Sequence, residues 1–478
     1  MNELIRLTAR QAVDGLKNGD FTPAELIDAA EARIAEVEPK VNALPTRCFE
    51  RARAAAARLE RPENPGPGYL YGLPMAIKDL VEVSGVRTTW GSRAFADHIS
   101  TRSDWSVERL EAKGALIVAK ANTPEFGAGA QTFNDVFGTT TNPWNTALTP
   151  GGSSGGSAVA VATGEVWLAD GSDLGGSLRI PASFAGVVGL RPSPGRVATG
   201  PRALPFDTLA VNGPMGRTVG DVALLLDAQS GLDTRDPLTL PPPGESFVAA
   251  VDRQMTLGRL PSRFAGGCRI AFSPDLELCP VDPEVVEVCQ AAMRRLEKLG
   301  TTVDDRAPSF KDAEDCFQVL RAINFAASVW PRIKDKQELV KPEVIWNAQK
   351  GLQHSAEEIA IARQQQGALY NRIAAFFERH DFLALPTVVA PPFDHRVRYL
   401  EEVNGRKFDT YISWLVLTFA VTLTGTPAIS VPVGFTKSGL PVGLQLVARP
   451  RGEAELLALS ALLEADLALG THNPVEPR

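Results

Sequence analysis

A lysine and several serines are the residues of this chain whose types and placement could do chemistry. Lys78 lies inside an otherwise apolar run, LPMAIKDLVEV. By the two-residue period of a strand it shares a face with Ala76 and Leu80, while Asp79 points to the opposite face and cannot easily pair with it. A lysine on an apolar face is rare unless it is paired or functional. Lys78 is therefore either at a strand edge with its ammonium in water, or a buried base.

A buried lysine can work as a general base because burial disfavours the charged form of the amine. The ordinary lysine pKa of about 10.4 leaves roughly one amine in 2,500 neutral near pH 7. Burial must lower that pKa by about 3 units, which costs about 4 kcal/mol. A serine nucleophile activated by a lysine, without histidine, is a known arrangement.

The serines lie in two glycine-rich turns, the first of which is TPGGSSGGSAVAVATG at residues 149–164. A phosphate-binding loop of the P-loop kind needs a lysine after its second glycine pair, and this chain has Ser157 there. The loop does enter a predicted helix, whose amino end favours anions, so weak anion binding stays open.

The same loop also contains the G-x-S-x-G pattern of a nucleophile elbow, centred on Ser153 and again on Ser154. An elbow follows a buried strand, and the preceding TNPWNTALTP is a poor strand because of its prolines and polar residues. An elbow also needs a downstream histidine, and the candidates are His354, His380, His395 and His472.

A flexible linker is the third interpretation of the loop. It is weakened by the second turn, DLGGS, where Ser177 follows Ser153 by 24 residues. That interval fits one helix leading away and one strand returning, which would bring the two turns together.

The surrounding pattern predicts the elements that position these residues. Capping boxes at Thr8 and Thr22 open two helices, and ALIVAK predicts a buried strand. Helix and strand then alternate, which favours an α/β sheet. We predict one domain, with a core of about 1–230 and 400–470 and a more helical insertion at about 231–399; a two-domain division near residue 235 is the alternative.

The composition excludes several classes of protein. The chain of 478 residues carries a net charge of -7 and has no basic block typical of nucleic-acid binding. Its longest apolar stretch near the carboxy end, WLVLTFAV, is too short to span a membrane. Five scattered cysteines indicate neither a disulfide framework nor a zinc site. We expect a cytoplasmic protein that binds neither nucleic acid nor membrane, and we leave open whether it is a homodimer.

Long motifs of the chain resemble the amidase signature family. They are GLPMAIKDL, KANTPEFG, PGGSSGGSAVAVA and GSDLGGSLRIPASFAGVVGLRPSPGRV, which together fall within about residues 70–220. The spacing of Lys78, Ser153 and Ser177 also agrees with the family's catalytic lysine and two serines. The resemblance implies an α/β fold with a central mixed, twisted β-sheet flanked by helices on both faces.

The resemblance also implies a mechanism that uses no metal and no cofactor. Ser177 is the expected nucleophile, Lys78 the base, and Ser153 the bridging serine with a cis peptide bond. The amides of Leu174, Gly175, Gly176 and Ser177 are expected to form the oxyanion hole, and Gly127 to line the substrate pocket.

Two flanking features complete the expected site. Asp173 and Arg179 are expected to brace the turn as an ion pair. Ser154 and Ser157 are then expected only to support the start of the helix.

The expected activity is the hydrolysis of a small-molecule carboxylic amide by a free-standing amidase. The alternative is the glutaminase component of a glutamine-dependent amidotransferase complex, which shares this core. The segment after GRV, ATGPRALPFDTLAVNGPMGRT, differs from the usual sequence of that component. The aromatic residues Phe317, Trp330, Trp346 and Tyr370 could line the pocket, although aromatic residues on helices more often belong to the core.

Overall fold

The computed structural model describes residues 2–471 and 473–478. The α-helices are α1 (Glu3–Arg6), α2 (Ala9–Asn18), α3 (Pro23–Val41), α4 (Phe49–Ala56), α5 (Trp105–Ala112), α6 (Gly155–Thr163), α7 (Arg179–Ala185), α8 (Val219–Gln229), α9 (Phe247–Leu257), α10 (Pro283–Lys298), α11 (Ala313–Ser328), α12 (Trp330–Ile333), α13 (Pro342–Gln353), α14 (Ala356–Phe377), α15 (Val416–Thr422) and α16 (Glu453–Leu467). Short 3-10 turns occur at Arg93–Phe95, Glu125–Gly127, Gln337–Leu339 and Ser413–Leu415.

The strands are β1 (Thr46–Arg47), β2 (Pro74–Lys78), β3 (Leu116–Ala121), β4 (Phe133–Asn134), β5 (Gly138–Thr139), β6 (Leu168–Asp173), β7 (Val188–Arg191), β8 (Val211–Gly216), β9 (Arg269–Phe272), β10 (Thr302–Asp304), β11 (Phe382–Pro386), β12 (Glu402–Val403), β13 (Arg406–Lys407), β14 (Ala428–Phe435) and β15 (Pro441–Ala448). In the described part of the chain, eleven of them form one sheet in the order β1-β3-β2-β6-β8-β7-β14-β15-β11-β9-β10. Parallel pairs (β3/β2/β6 and β11/β9/β10) and antiparallel pairs both occur, so the sheet is mixed as predicted.

Both faces of the sheet are covered, and strand β2 shows this residue by residue. Met75 and Ile77 pack in a cluster with side chains of α2, α5 and α8, whereas Ala76 packs in a second cluster with side chains of α3 and α6. Since successive side chains of a strand point to opposite faces, helices must lie on both sides. Lys78 shares the face of Ala76, the face that α6 covers.

Local signals position the first helices as predicted. Thr8 and Thr22 each accept a hydrogen bond from the backbone of the third helical residue, Gln11 and Glu25, whose side chains bond back in turn. These capping boxes satisfy amide donors that would otherwise lack partners at the helix start.

The segment 231–399 contains α9 to α14 and also three strands, β9, β10 and β11. Those strands form one edge of the same sheet. The segment 231–399, which the sequence pattern predicts to be more helical, therefore also contributes three strands to the sheet. The division of the chain into a core and an insertion stays a prediction. None of the described helices is long and apolar enough to cross a membrane.

Candidate active site

Lys78 ends β2 in the interior of the sheet, with β3 and β1 between it and the nearer edge. Its side chain is fully buried, so the strand-edge interpretation is wrong. Asp79, on the opposite face, pairs with Lys120 instead, with 3.1 Å between Asp79 Oδ1 and Lys120 Nζ. The lysine on the apolar face is therefore left to other partners.

Three serine hydroxyls surround the Lys78 amine. Lys78 Nζ lies 2.7 Å from Ser153 Oγ, 2.8 Å from Ser154 Oγ and 3.0 Å from Ser172 Oγ. A neutral amine has two N–H donors and one lone pair, so it can donate to two hydroxyls and accept from the third. The geometry therefore suits a lysine that takes a proton from a serine.

The electrostatics of the site favour that neutral form. Burial lowers the pKa of Lys78 to about 7, and the negative charges of Asp170 and Asp173 oppose the shift without cancelling it. Near neutral pH a large share of the amine is therefore unprotonated, as a general base requires.

Asp170 in β6 contacts the same lysine from the neighbouring strand. Its Oδ1 accepts a hydrogen bond of 2.6 Å from the Lys78 backbone N–H, and its Oδ2 is buried without a partner among the described residues. Burial raises the pKa of Asp170 to about 7 despite this hydrogen bond and the nearby lysines. Asp170 was not among the residues expected from the sequence, although an acid inside the apolar run WLADG meets the same criterion that selected Lys78.

The first glycine-rich loop brings Ser153 to the lysine. The Gly152–Ser153 peptide bond is cis, the geometry that the resemblance implies. Helix α6 begins at Gly155, and a side chain at Gly156 would place its Cβ only 2.4 Å from the Asn122 backbone nitrogen. Glycine is thus required where α6 packs against the segment that follows β3. The connection of one helix and one strand, α6 and β6, leads to the second turn as the 24-residue interval predicts.

Ser154 was expected only to support the start of α6, but its side chain contacts Lys78 instead. Its side chain makes no capping hydrogen bond, and its hydroxyl lies at Lys78 and also accepts a bond from the Ser172 backbone N–H. Ser157 is buried in α6, with its hydroxyl unpartnered among the described residues. Ser154 therefore helps to hold the lysine.

The second turn follows β6 and is held by a buried ion pair. Asp173 bonds Arg179 through both carboxylate oxygens, each at 2.9 Å, as expected, and Arg191 Nη1 lies 3.3 Å from Asp173 Oδ1. Burial alone would raise the pKa of Asp173, but the two guanidinium groups hold it well below its usual range. The carboxylate stays charged and fixes the turn.

One of the four amides expected to form an oxyanion hole already has a hydrogen-bond partner. The Gly176 N–H donates to Asp173 Oδ1 at 2.9 Å, so this amide is already occupied. In contrast, the amides of Leu174, Gly175 and Ser177 make no hydrogen bond within the described chain, and all three residues line the same cavity. Three amides of this turn are thus free to donate a hydrogen bond to a group in the cavity.

A cavity of about 190 Å³ joins the two turns, since both Ser153 and Ser177 line it together with Gly127. In the described structure, no hydrogen bond joins the Ser153 and Ser177 hydroxyls. A catalytic contact of this kind often closes only when substrate binds. A larger groove of about 540 Å³, bordered by Arg253 and Arg263, contains none of the predicted site residues.

Helix α11 supplies the other wall of the cavity. Phe317 is fully buried, stacks on Phe419 and lines the cavity. Trp330, Trp346 and Tyr370 do not line it, and the last two are 38% and 45% exposed. Of the four aromatic candidates, the structure thus places Phe317 at the site.

The nucleophile elbow finds no support in this geometry. Residues 142–150 form no strand longer than isolated bridges, and the described histidines do not line the cavity. His380 instead stacks on Phe376 and contacts Asp304. The fourth candidate, His472, lies outside the described residues.

Known proteins are similar to this chain in both sequence and fold. The family model described as Amidase matches residues 25–457. The chain belongs to the amidase signature family.

Individual relatives of this amidase are similar over almost their whole length. An acylamidase of Rhodococcus erythropolis is 34% identical over 96% of this chain and 95% of that protein. The A component of the glutamyl-tRNA(Gln) amidotransferase of Synechococcus sp. (strain WH7803) is also 34% identical, over 94% of this chain and 95% of that protein. A solved bacterial aryl acylamidase of the amidase signature family superposes with a TM-score of 0.88 at 27% identity, covering 98% of each chain.

These similarities confirm the predicted family, the α/β fold with its central mixed sheet, and amide hydrolysis as the activity. The chain is an amide hydrolase, and its substrate is a small molecule.

Proposed function

We propose that this amidase cleaves carboxylic amides through a Ser177 acyl-enzyme, with Ser153 as the bridging serine and Lys78 as the general base. The observation that carries the proposal is the 2.7 Å contact between Lys78 Nζ and Ser153 Oγ, at the wall of the cavity that Ser177 also lines.

The cysteines bear on where the protein works. Buried free thiols are typical of a reducing compartment, and on that ground we propose a cytoplasmic protein.

The proposed reaction begins when substrate closes the gap between the two serines. Ser177 Oγ attacks the amide carbonyl carbon and gives its proton to Ser153 Oγ, which gives its own to Lys78 Nζ. The carbonyl oxygen becomes an oxyanion, and the free amides of Leu174, Gly175 and Ser177 donate hydrogen bonds to it.

The second half of the reaction returns the proton. Lys78 passes it back through Ser153 to the leaving nitrogen as the C–N bond breaks, which releases the amine and leaves the acyl group on Ser177 Oγ. Water then gives a proton through Ser153 to Lys78 as it attacks the acyl carbon. The proton returns by the same route to Ser177 Oγ as the bond between the acyl carbon and Oγ breaks, which releases the carboxylic acid and restores the enzyme.

The experiment that tests the proposal uses the purified chain alone. We expect it to hydrolyse simple aryl or aliphatic amides without a partner protein, and a fluorophosphonate to add one label that peptide mapping assigns to Ser177. A label on another serine would refute the nucleophile assignment. Hydrolysis of glutamine only, and only in the presence of a partner complex, would favour the glutaminase component of an amidotransferase.

Gly176→Ala is expected to lower kcat by about 100-fold or more, since small displacements of reacting groups have effects of this size. Gly176 has φ +122°, and an added Cβ would lie 2.2 Å from Thr418 Oγ1, so the turn that carries Ser177 must shift. Steady-state kinetics on one amide measure the loss. Gly367→Ala is the control because its Cβ would meet open space. Equal activity of both variants would contradict the prediction.

Asp170→Asn is expected to move the acidic limb of the kcat/KM profile to lower pH. The Asp170 charge raises the pKa of Lys78 against the larger effect of burial, so its removal lets that pKa fall further. The amide oxygen of asparagine can still accept the Lys78 backbone N–H. Asp305→Asn, which removes an exposed charge, should leave the limb in place. An unchanged or raised limb in Asp170→Asn would contradict the electrostatic account.

A further inference from the structure

One face of α11 presents a polar pair to the catalytic cavity. Phe317, Arg321, Asn324 and Ser328 are spaced by four, three and four residues and therefore lie on the same side of the helix, and all four line the cavity. Arg321 and Asn324 project into it from successive turns. Neither was singled out by the sequence motifs, because both lie in the segment 231–399.

Arg321 is a buried cation that has no anionic partner among the residues that the structure describes. Arg321 is only 5% exposed, and its Nη1 atom is buried with no hydrogen bond in the described chain. A guanidinium stays charged at any ordinary pH and is costly to bury unless it is paired. Its contacts with the rings of Phe325, at 4.5 Å, and Tyr411, at 5.3 Å, stabilise it only in part.

The two carboxylates that act on Lys341, a buried lysine near Arg321, are engaged by other groups. Glu343 pairs with Arg398 at 2.6 Å, and Glu125 accepts the Lys341 backbone N–H at 2.7 Å. Lys341 is itself buried close enough to Arg321 for the two positive charges to repel. In the group of charges around Lys341, three cations (Lys341, Arg321 and Arg398) thus face two acids (Glu343 and Glu125), which leaves room for one more negative charge.

The lining of the cavity also limits which anions fit. The described residues that line it include Arg321 but no aspartate or glutamate. A substrate ammonium group would therefore meet no anionic partner there. An amide that carries a carboxylate alone fits this lining better than an amino-acid amide does.

We propose that Arg321, assisted by Asn324, binds a carboxylate of the substrate, so that preferred amides carry one carboxylate and no ammonium group. The inference rests on the proposed function because the same cavity must hold the amide carbonyl at Ser177. A planar guanidinium donates two parallel hydrogen bonds to a carboxylate, and the Asn324 amide can donate a third.

The test compares amides that differ only in this charge. Succinamate and levulinamide differ by a carboxylate in place of an acetyl group on the acyl side. The pair para-acetamidobenzoate and para-acetamidoacetophenone places the same change on the leaving amine. In at least one pair we expect kcat/KM for the carboxylate to exceed that for the ketone by about 10- to 100-fold, the range for hydrogen bonds to charged groups. The pair that shows the preference identifies the side of the substrate that Arg321 binds.

Variants of Arg321 test the residue itself. In Arg321→Gln the carboxylate-to-ketone ratio should fall to about one, and in Arg321→Lys, which keeps the charge but loses the planar fork, it should be intermediate. Arg294→Gln removes an exposed arginine from α10 and should keep the wild-type ratio. If the preference lies on the acyl side, glutaramate should also be preferred to L-glutamine, from which it differs by the missing ammonium group.

Binding separates this inference from the proposed chemistry. Calorimetric titration of Ser177→Ala with succinamate and with levulinamide requires no turnover, and succinamate should bind about 10-fold tighter or more if the preference is on the acyl side; the para-acetamido pair reports the other side. Equal binding and equal kcat/KM within both pairs would overturn the Arg321 assignment even if amides are hydrolysed. A carboxylate preference that Arg321→Gln leaves intact would overturn it as well.

Discussion

Ser177→Ala is expected to lower kcat for amide hydrolysis by at least about 10⁴-fold while the protein stays folded. Loss of the nucleophile removes the acyl-enzyme route, and only binding and the free amides of the turn remain. Alanine fits because Ser177 lies at the half-buried mouth of the cavity and its side chain makes no hydrogen bond among the described residues. Steady-state kinetics and thermal unfolding measure the two parts of the prediction.

Ser157→Ala is the matched control for that experiment. Ser157 is a buried serine of α6 whose hydroxyl has no partner in the described part of the chain, and it does not line the cavity. Its loss should leave kcat within a few-fold of wild type. Wild-type hydrolysis by Ser177→Ala, or loss of the fluorophosphonate label in Ser157→Ala instead, would refute the mechanism.

Local features of this fold could be predicted from sequence because each depends on neighbouring residues. The capping boxes at Thr8 and Thr22 need only four consecutive residues, and both are observed. The apolar run around Lys78 narrows its position to a strand edge or a buried site, and the structure shows the buried one. The strands β9 and β10 were hidden because they are four and three residues long, and short apolar runs do not distinguish strand from helix.

Contacts between distant segments account for what the sequence could not reveal at the site. Asp170 meets the Lys78 backbone across 92 residues, and Ser154 meets the Lys78 amine across 76. The Gly176 amide is the exception, because its partner Asp173 Oδ1 lies only three residues away in the same turn. Arg321 is one of many arginines in the sequence, and only the position of α11 against the two serine turns distinguishes it.

The pH profile of the wild-type enzyme should report the Lys78 base. Only the neutral amine accepts a proton, and the pKa of Lys78 is lowered to about 7 by burial. We therefore expect kcat/KM to fall below about pH 7 as Lys78 becomes protonated, and to approach a plateau above it. A limb at the ordinary lysine pKa of about 10.4 would contradict the assignment.

Lys78→Met is expected to lower kcat by about 10³-fold or more at every pH and to abolish the limb near pH 7, because general-base catalysis contributes about 10² to 10⁴-fold. Lys78→Arg should be equally inactive, since a guanidinium keeps its proton. Lys17→Met, which replaces an exposed lysine of α2, should behave as wild type.

The stability of the folded protein offers a second measurement of the Lys78 charge. The unfolded chain protonates this lysine up to about pH 10.4 and the folded chain only to about pH 7, so wild type should gain stability relative to Lys78→Met as pH rises between those values. A constant stability difference across that range would mean that Lys78 is charged in the folded protein, and the base would have to be sought elsewhere.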